Sequence, residues 1–331
     1  MNVPKVETKL QEVKLDNRLQ GLLRRREPIL FLFLILVVIG LQFLTDFKFL
    51  NPLNLSIMID RKVPEALVTI GIVYLLITKE FDLSVASVMS LSGMVCAWFL
   101  TNEVGLVPSI LLGIIAGAMV GFFNGLLVTK FKIASFIATL GTLYIARSIA
   151  QIIAQGKPIS NLPQEFIDIG DFQIMGLPWY FLLMIVVVVI LQYLLKSHKS
   201  MAKLFYIGTN EKAAQMVGID SEKIKWILFV VCAVIAAIAG IILTAKAYSA
   251  SPIAFFRMEM RYIAAAVVGG ASISGGQGSI VGGILGFTLI VLIGNAMTLI
   301  GISPYWEGVI FGTVLAIAAI SDALSQRKKG G

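Results

Sequence analysis

Charge is scarce in this chain, histidine is nearly absent and cysteine is rare. Only 14% of the 331 residues are charged, against about a quarter in soluble domains. The one histidine, His198, lies among Lys196, Lys199 and Lys203; it reads as a solvated interfacial residue and excludes a clustered metal site. Cys96 and Cys232 both fall inside apolar runs, so they read as packing residues, not as a disulfide, and say little about redox compartment. No phosphate-cradling G-x-x-x-x-G-K-[ST] loop is present, because the one Gly-Lys pair, Gly156–Lys157, runs into Pro158. The run SGGQGS (274–279) fails the dinucleotide pattern and follows no strand. A basic patch interleaved with exposed aromatics is also missing, which argues against nucleic acid as a partner. No nucleophile–base pair suggests an intramembrane enzyme, and no cofactor is implied.

Ion-coupled carriers place costly ionisable groups deep in their spans. Here only Asp82, Arg147 and Glu307 are candidates, with Glu65 and Glu80 near interfaces. No relay of acids results, so the energy for any transport enters from elsewhere. Arg147 is expected to snorkel outward from its span.

What the chain does have is apolar sequence: 58% hydrophobic residues and a mean hydropathy of +0.90. Runs such as ILFLFLILVVIGLQFL (29–44) and WILFVVCAVIAAIAGIILTA (226–245) carry no charge. Only internal hydrogen bonding satisfies the backbone in lipid, so such runs span as helices. A soluble protein would need polar faces on these helices, and they lack them. The pattern predicts an all-α, polytopic membrane protein. About ten segments are expected at 29–45, 64–78, 84–101, 107–128, 133–154, 178–195, 225–246, 261–273, 279–300 and 304–321. The first follows a polar head of 28 residues without a small-residue cleavage site, so it reads as a retained span.

Lys and Arg set the orientation, since they favour the cytoplasmic side. With the N-terminus inside, segments 1–28, 78–83, 129–132, 196–225 and 322–331 hold 19 of the 27 basic residues. Both termini are therefore expected in the cytoplasm. The organisation is then a cytoplasmic head (1–28), a membrane domain (29–321) with a cytoplasmic loop at 196–225, and a short tail (322–331). The basic flanks 24–26 and 327–329 favour anionic lipid headgroups.

Two segments are short and interrupted: 64–78 runs into KEFDLSVAS (79–87), and 262–272 runs into ISGGQGS (273–279). Paired broken segments point to a permeation route, because unwound backbone can line a cavity; ordinary tight turns are the plainer reading. Gly113, Gly117, Gly121 and Gly125 share one helix face, as Gly278, Gly282 and Gly286 would, which suits close helix packing in lipid. Asp82 can contact substrate or cap the helix that starts near Ser84.

The loop FYIGTNEKAAQMVGID (205–220) predicts a small polar helix. Asn210 can cap it, Glu211 complements the N-terminal dipole and Gly218 ends it. Two turns are too short to stand alone in water. Ala213, Ala214, Met216 and Val217 offer an apolar surface, either for a groove in another protein or for the membrane and the chain's own bundle.

Taken in order, five stretches resemble the permease subunit of carbohydrate ABC importers, the ribose, galactose and xylose group. They are FDLSVASVMSLSGMV (81–95), NGLLVTKFKIASFIATLGTLYIARSIA (124–150), YIGTNEKAAQMVGI (206–219), AAAVVGGASISGGQGSIVGGILG (264–286) and GISPYWEGVIFG (301–312). The resemblance implies a pair of permeases, identical or different, two cytoplasmic ATPase subunits and an extracytoplasmic sugar-binding protein, at the cell (inner) membrane. It implies that Asn210, Glu211, Ala213, Ala214, Met216 and Gly218 form the segment that seats in the ATPase. Polar groups that could line the route are Asp82, Ser84, Ser87, Asn124, Thr139, Ser272, Ser274 and Asn295. The chain departs from the family pattern where two glycines have become Lys79 and Glu80 and another has become Ala86. A stand-alone secondary carrier, and a membrane scaffold using the same loop helix, are the competing readings.

Overall fold

The computed structural model describes residues 26–303 and 305–327, most of them helical. The expected head therefore lies outside the described residues up to position 25, as does the tail from position 328. Helices run in the order α1 (Arg26–Leu44), α2 (Pro52–Ile77), α3 (Val85–Thr101), α4 (Leu106–Thr129), α5 (Ser135–Ile153) and α6 (Gln164–Asp171). A two-stranded hairpin, β1 (Gln173–Ile174) against β2 (Leu177–Pro178), leads into α7 (Trp179–Ser197). There follow α8 (Lys199–Thr209), α9 (Glu211–Met216), α10 (Ser221–Lys246), α11 (Glu259–Val268), α12 (Ile280–Leu299) and α13 (Trp306–Arg327).

Each of the ten hydrophobic segments falls on a helix. Among the described residues six helices are long and apolar enough to cross a membrane: α1, α4, α5, α7, α10 and α12. Shorter apolar helices are α3 and the Trp306–Ile317 stretch of α13. The result is an all-α membrane protein whose outward side chains, such as Leu36, Ile152 and Val189, are large and apolar.

One of the two short segments is not short. The apolar stretch 64–78 is the second half of α2, a continuous helix of 26 residues that starts at Pro52. Pro64 lies inside it and cannot donate to the carbonyl of Asp60. The buried Tyr180 supplies the missing donor: its hydroxyl reaches the Asp60 carbonyl oxygen at 3.0 Å. The other segment does stay short, since α11 has ten residues and gives way to the glycine-rich loop before α12.

Helix α10 is the centre of the bundle and packs against α2, α3 and α4. Its interior face is small: Ala233, Ala236, Ala237 and Gly240. The glycines of α4 let that face come close. A Cβ at Gly117 would sit 2.6 Å from the Ala237 Cβ, and one at Gly121 2.6 Å from the Phe229 carbonyl. The second ladder is split. Gly282 and Gly286 pack α12 onto α11, while Gly278 precedes the helix and faces the Ile77 side chain. Arg147 does not snorkel; it is buried and donates to the carbonyls of Pro252 and Ala254, joining α5 to the 252–254 turn.

Candidate coupling corner and permeation route

Helix α9 forms where the residue pattern places it. The Asn210 side chain accepts from the Ala213 amide at 3.1 Å, so the cap forms as expected. At the other end Gly218 has φ +81°, and the Gly218 and Ile219 amides return to the Gln215 and Ala214 carbonyls, both at 3.0 Å. The apolar surface divides between two faces. Ala214 is buried against the bundle, whereas Ala213, Met216 and Val217 are exposed. On the inner face Gln215 donates to the Ser221 hydroxyl at 2.7 Å, and Glu211 meets Lys225 at 2.7 Å. Six residues could not hold this shape alone, so these contacts stabilise it.

Helix α8, which the sequence reading left inside a loop, sets the position of α9. A Cβ at Gly208 would stand 1.8 Å from the Ile77 carbonyl oxygen, so only glycine fits there. That same carbonyl accepts from the Gly276 amide at 2.9 Å. The end of α2, the α8–α9 corner and the loop carrying Ser272 and Ser274 thus meet at one point. The Ser272 hydroxyl accepts from the Ser274 amide at 3.2 Å, which shapes that loop.

Four of the polar candidates form one buried group. An Asp82 carboxylate oxygen accepts from the Ser84 amide at 2.8 Å and the Ser84 hydroxyl at 2.6 Å. Asn124 donates to the Ser84 hydroxyl at 2.9 Å and accepts from Thr142 at 2.6 Å. Thr139 accepts from the Leu83 amide at 3.1 Å. The group ties the α2–α3 turn to α4 and α5. Its members are fully buried apart from Thr142, which the sequence reading did not single out. Thr142 lies three residues beyond Thr139 on the same helix, a spacing that could have suggested it. Asp82 thus holds Ser84, the residue just before α3, and accepts from none of the helix's first-turn amides, so it is not a side-chain cap of α3. Ser87 is buried, and its hydroxyl has no hydrogen-bond partner among the described residues.

Asn295 lies elsewhere. It exchanges two hydrogen bonds with Asn54, at 2.8 and 2.9 Å, and lines a half-open cavity of about 380 Å³. Arg61, Lys62, Arg261 and Glu307 also line it. Behind this wall the buried Glu65 faces Lys62 at 2.7 Å and Arg261 at 3.6 Å, and Arg261 also pairs with Glu307. Seven of the eight candidates thus fall into three separate sets, a buried tie, a glycine loop and a cavity wall, and Ser87 stands apart from all three.

The geometry on these points is that of a multi-pass helical membrane protein with a short capped helix held from inside and bare outside. The particular family follows from comparison with known proteins: the chain matches the family described as branched-chain amino acid transport system / permease component over residues 61–319, and it belongs to that family. It is 33% identical to the ribose import permease protein RbsC of Bacillus subtilis over 324 residues, 97% of this chain and 98% of the relative. It is 30% identical to RbsC of Escherichia coli K12 over 88% of this chain and 92% of the relative. The L-arabinose transport system permease protein AraH of E. coli K12 is 32% identical over 91% of each. No solved structure matches the chain.

Proposed function

We propose that the chain is the membrane subunit of an ATP-driven importer for a sugar or sugar-like solute at the inner (cytoplasmic) membrane. The observation that carries this reading is similarity over nearly the whole chain to ribose and L-arabinose import permeases. In this reading ten segments cross or enter the membrane, both termini are cytoplasmic and 196–225 is the loop that meets the ATPase. Helix α9 seats in the ATPase subunit. Asn210 and Gly218 define its ends, Glu211 and Ala214 hold its inner side, and Ala213 and Met216 make the contact. A second permease copy and an extracytoplasmic sugar-binding protein complete the assembly. Nucleotide-driven closure of the ATPase pair then moves α9 and shifts the permease between outward- and inward-open states, which requires that the two states bind partners differently.

The polar residues divide their roles. Asn295 and the cavity wall belong to the route; Ser272 and Ser274 shape the loop between α11 and α12. The hydrogen bonds within Asp82, Ser84, Asn124 and Thr139 favour a tie between helices over a lining, and Ser87 remains a route candidate. Reconstitution with the ATPase and binding protein tests the reading. Uptake that depends on ATP, and that Met216→Asp abolishes while the chain still inserts, is the expected result. Uptake by the chain alone under an ion gradient would replace it with a stand-alone carrier.

A further inference from the structure

The second turn of α10 carries a lysine that reaches two carboxylates from different parts of the chain. Lys225 Nζ lies 2.7 Å from Glu80 Oε1 and 2.7 Å from Glu211 Oε2. Glu80 follows the end of α2, and Glu211 opens α9, so one ammonium joins three elements. The Lys225 and Glu80 side chains are 9% and 10% exposed, while Glu211 is 38% exposed. The first pair is thus nearly out of water, where losing one partner is costly. The start of a helix does not favour a cation through its dipole, so the two carboxylates are what hold Lys225 there.

The segment beyond Glu80 is equally fixed. The Glu80 amide donates to the Leu75 carbonyl at 2.9 Å, the Phe81 amide to the Ser135 hydroxyl at 3.1 Å, and Leu83 to Thr139. Two residues beyond Glu80 stands Asp82, the anchor of the buried group that holds α4. A continuous set of short polar contacts therefore runs from α9 through Lys225 and Glu80 to the centre of the bundle. Lys79 and Glu80 are also where the chain departs from the glycine pair of the family it resembles. A flexible pair there would carry no such contact.

We propose that Glu80 and Lys225 are positioning residues that transmit movement of α9 to the α2–α3 turn, a charged tie specific to chains with a carboxylate at this point. Glu80 acts through Lys225 on the angle between α9 and the turn. The inference rests on the importer reading and adds the linkage through which the motor acts.

The test uses the whole assembly in proteoliposomes, with labelled ribose and L-arabinose as probes and ATP consumption followed in parallel. Glu80→Gln removes the charge at nearly constant shape, and Lys225→Met removes the bridge. Each is expected to lower solute taken up per ATP consumed at least fivefold, with the assembly still eluting intact. The double variant is expected to lie within about twofold of either single one, because both break the same link. Lys225→Arg, which can reach both carboxylates, should keep at least half of the wild-type ratio. Should Lys225→Met fail to assemble, Glu80→Gln and Lys225→Arg decide alone. A wild-type ratio in Glu80→Gln, or a double variant whose loss is the product of the single losses, overturns the tie. Wild-type uptake that proceeds without ATP or without the ATPase subunits overturns the importer reading on which the tie rests.

Discussion

Two charged clusters hold α2, one beside its middle and one just past its end, and they differ in how their charges are matched. At the first, Glu65 meets Lys62 and Arg261, and Arg261 meets Glu307, around a half-open cavity of about 380 Å³. Glu65 Oε2 has no hydrogen-bond partner among the described residues, and Arg61 adds a further cation to the wall. At the second, roughly 20 Å along the chain axis at 1.5 Å per residue, Lys225 makes two short contacts with Glu80 and Glu211. A wall that keeps a carboxylate oxygen without a hydrogen bond and a spare cation beside a cavity can receive something; a lysine shared between two carboxylates can pass on a displacement. The same residue types serve both, and the partners decide which.

The comparison can be broken most severely at the cavity wall. Arg261→Met leaves Glu65 buried beside one lysine and frees Glu307, with an expected loss of about 3–5 kcal/mol of stability. Thermal unfolding of the purified chain in lipid nanodiscs checks this, and an unchanged midpoint would show that the wall bears no load. Gly208→Ala strikes the other end. The new methyl group must displace the Ile77 carbonyl, with an expected loss of about 1–3 kcal/mol and a larger drop in uptake than in stability. Equal losses in both measurements would remove the corner's special role.

A smaller effect sharpens the same corner. Helix α2 ends with Lys79 at φ +66°, in the position where a glycine usually closes a helix, with the Lys79 and Glu80 amides returning to Leu76 and Leu75. Lys79→Gly removes that strain and should stabilise the chain by about 0.5–1 kcal/mol in the same unfolding measurement. Destabilisation would mean that the Lys79 side chain has a contact worth more than its backbone cost.

The smallest effect concerns acidity. Burial alone would raise the Glu211 carboxyl, but the hydrogen bond and charge of Lys225, with help from Ser221 and Lys132, hold it below the usual carboxylate range. A lowered carboxyl contributes stability that is present at neutral pH and lost as the pH falls through the lowered value. Stability followed from neutral pH downward should therefore fall less steeply in acid for Glu211→Gln than for the wild type. Parallel curves would place Glu211 outside the tie.

Much of the fold was legible in the residues. Apolar runs without charge became helices, and Asn210 and Gly218 marked the ends of α9, because capping and glycine closure are decided within a few residues. The start of α2 was hidden. Asp60, Arg61 and Lys62 look like an interface, and Pro64 looks like a beginning. Tyr180 and Lys246, more than a hundred residues away, satisfy Asp60 and let the helix run through. Arg147 misled for the same reason, since its carbonyl partners lie in the 252–254 turn. The polar candidates could be named one by one, but their division into tie, loop and wall follows from which helices touch.

By itself the sequence determined that the chain lives in lipid, where its helices run and where a short capped helix interrupts them. Local hydrogen bonding and the cost of exposed backbone are enough for that. Only the tertiary structure decided that Glu80, Lys225 and Glu211 share one point, that Asn295 pairs with Asn54 and that Asp82 faces inward. Charges and amides far apart along the chain choose partners by distance in space, and that distance exists only once the helices have packed.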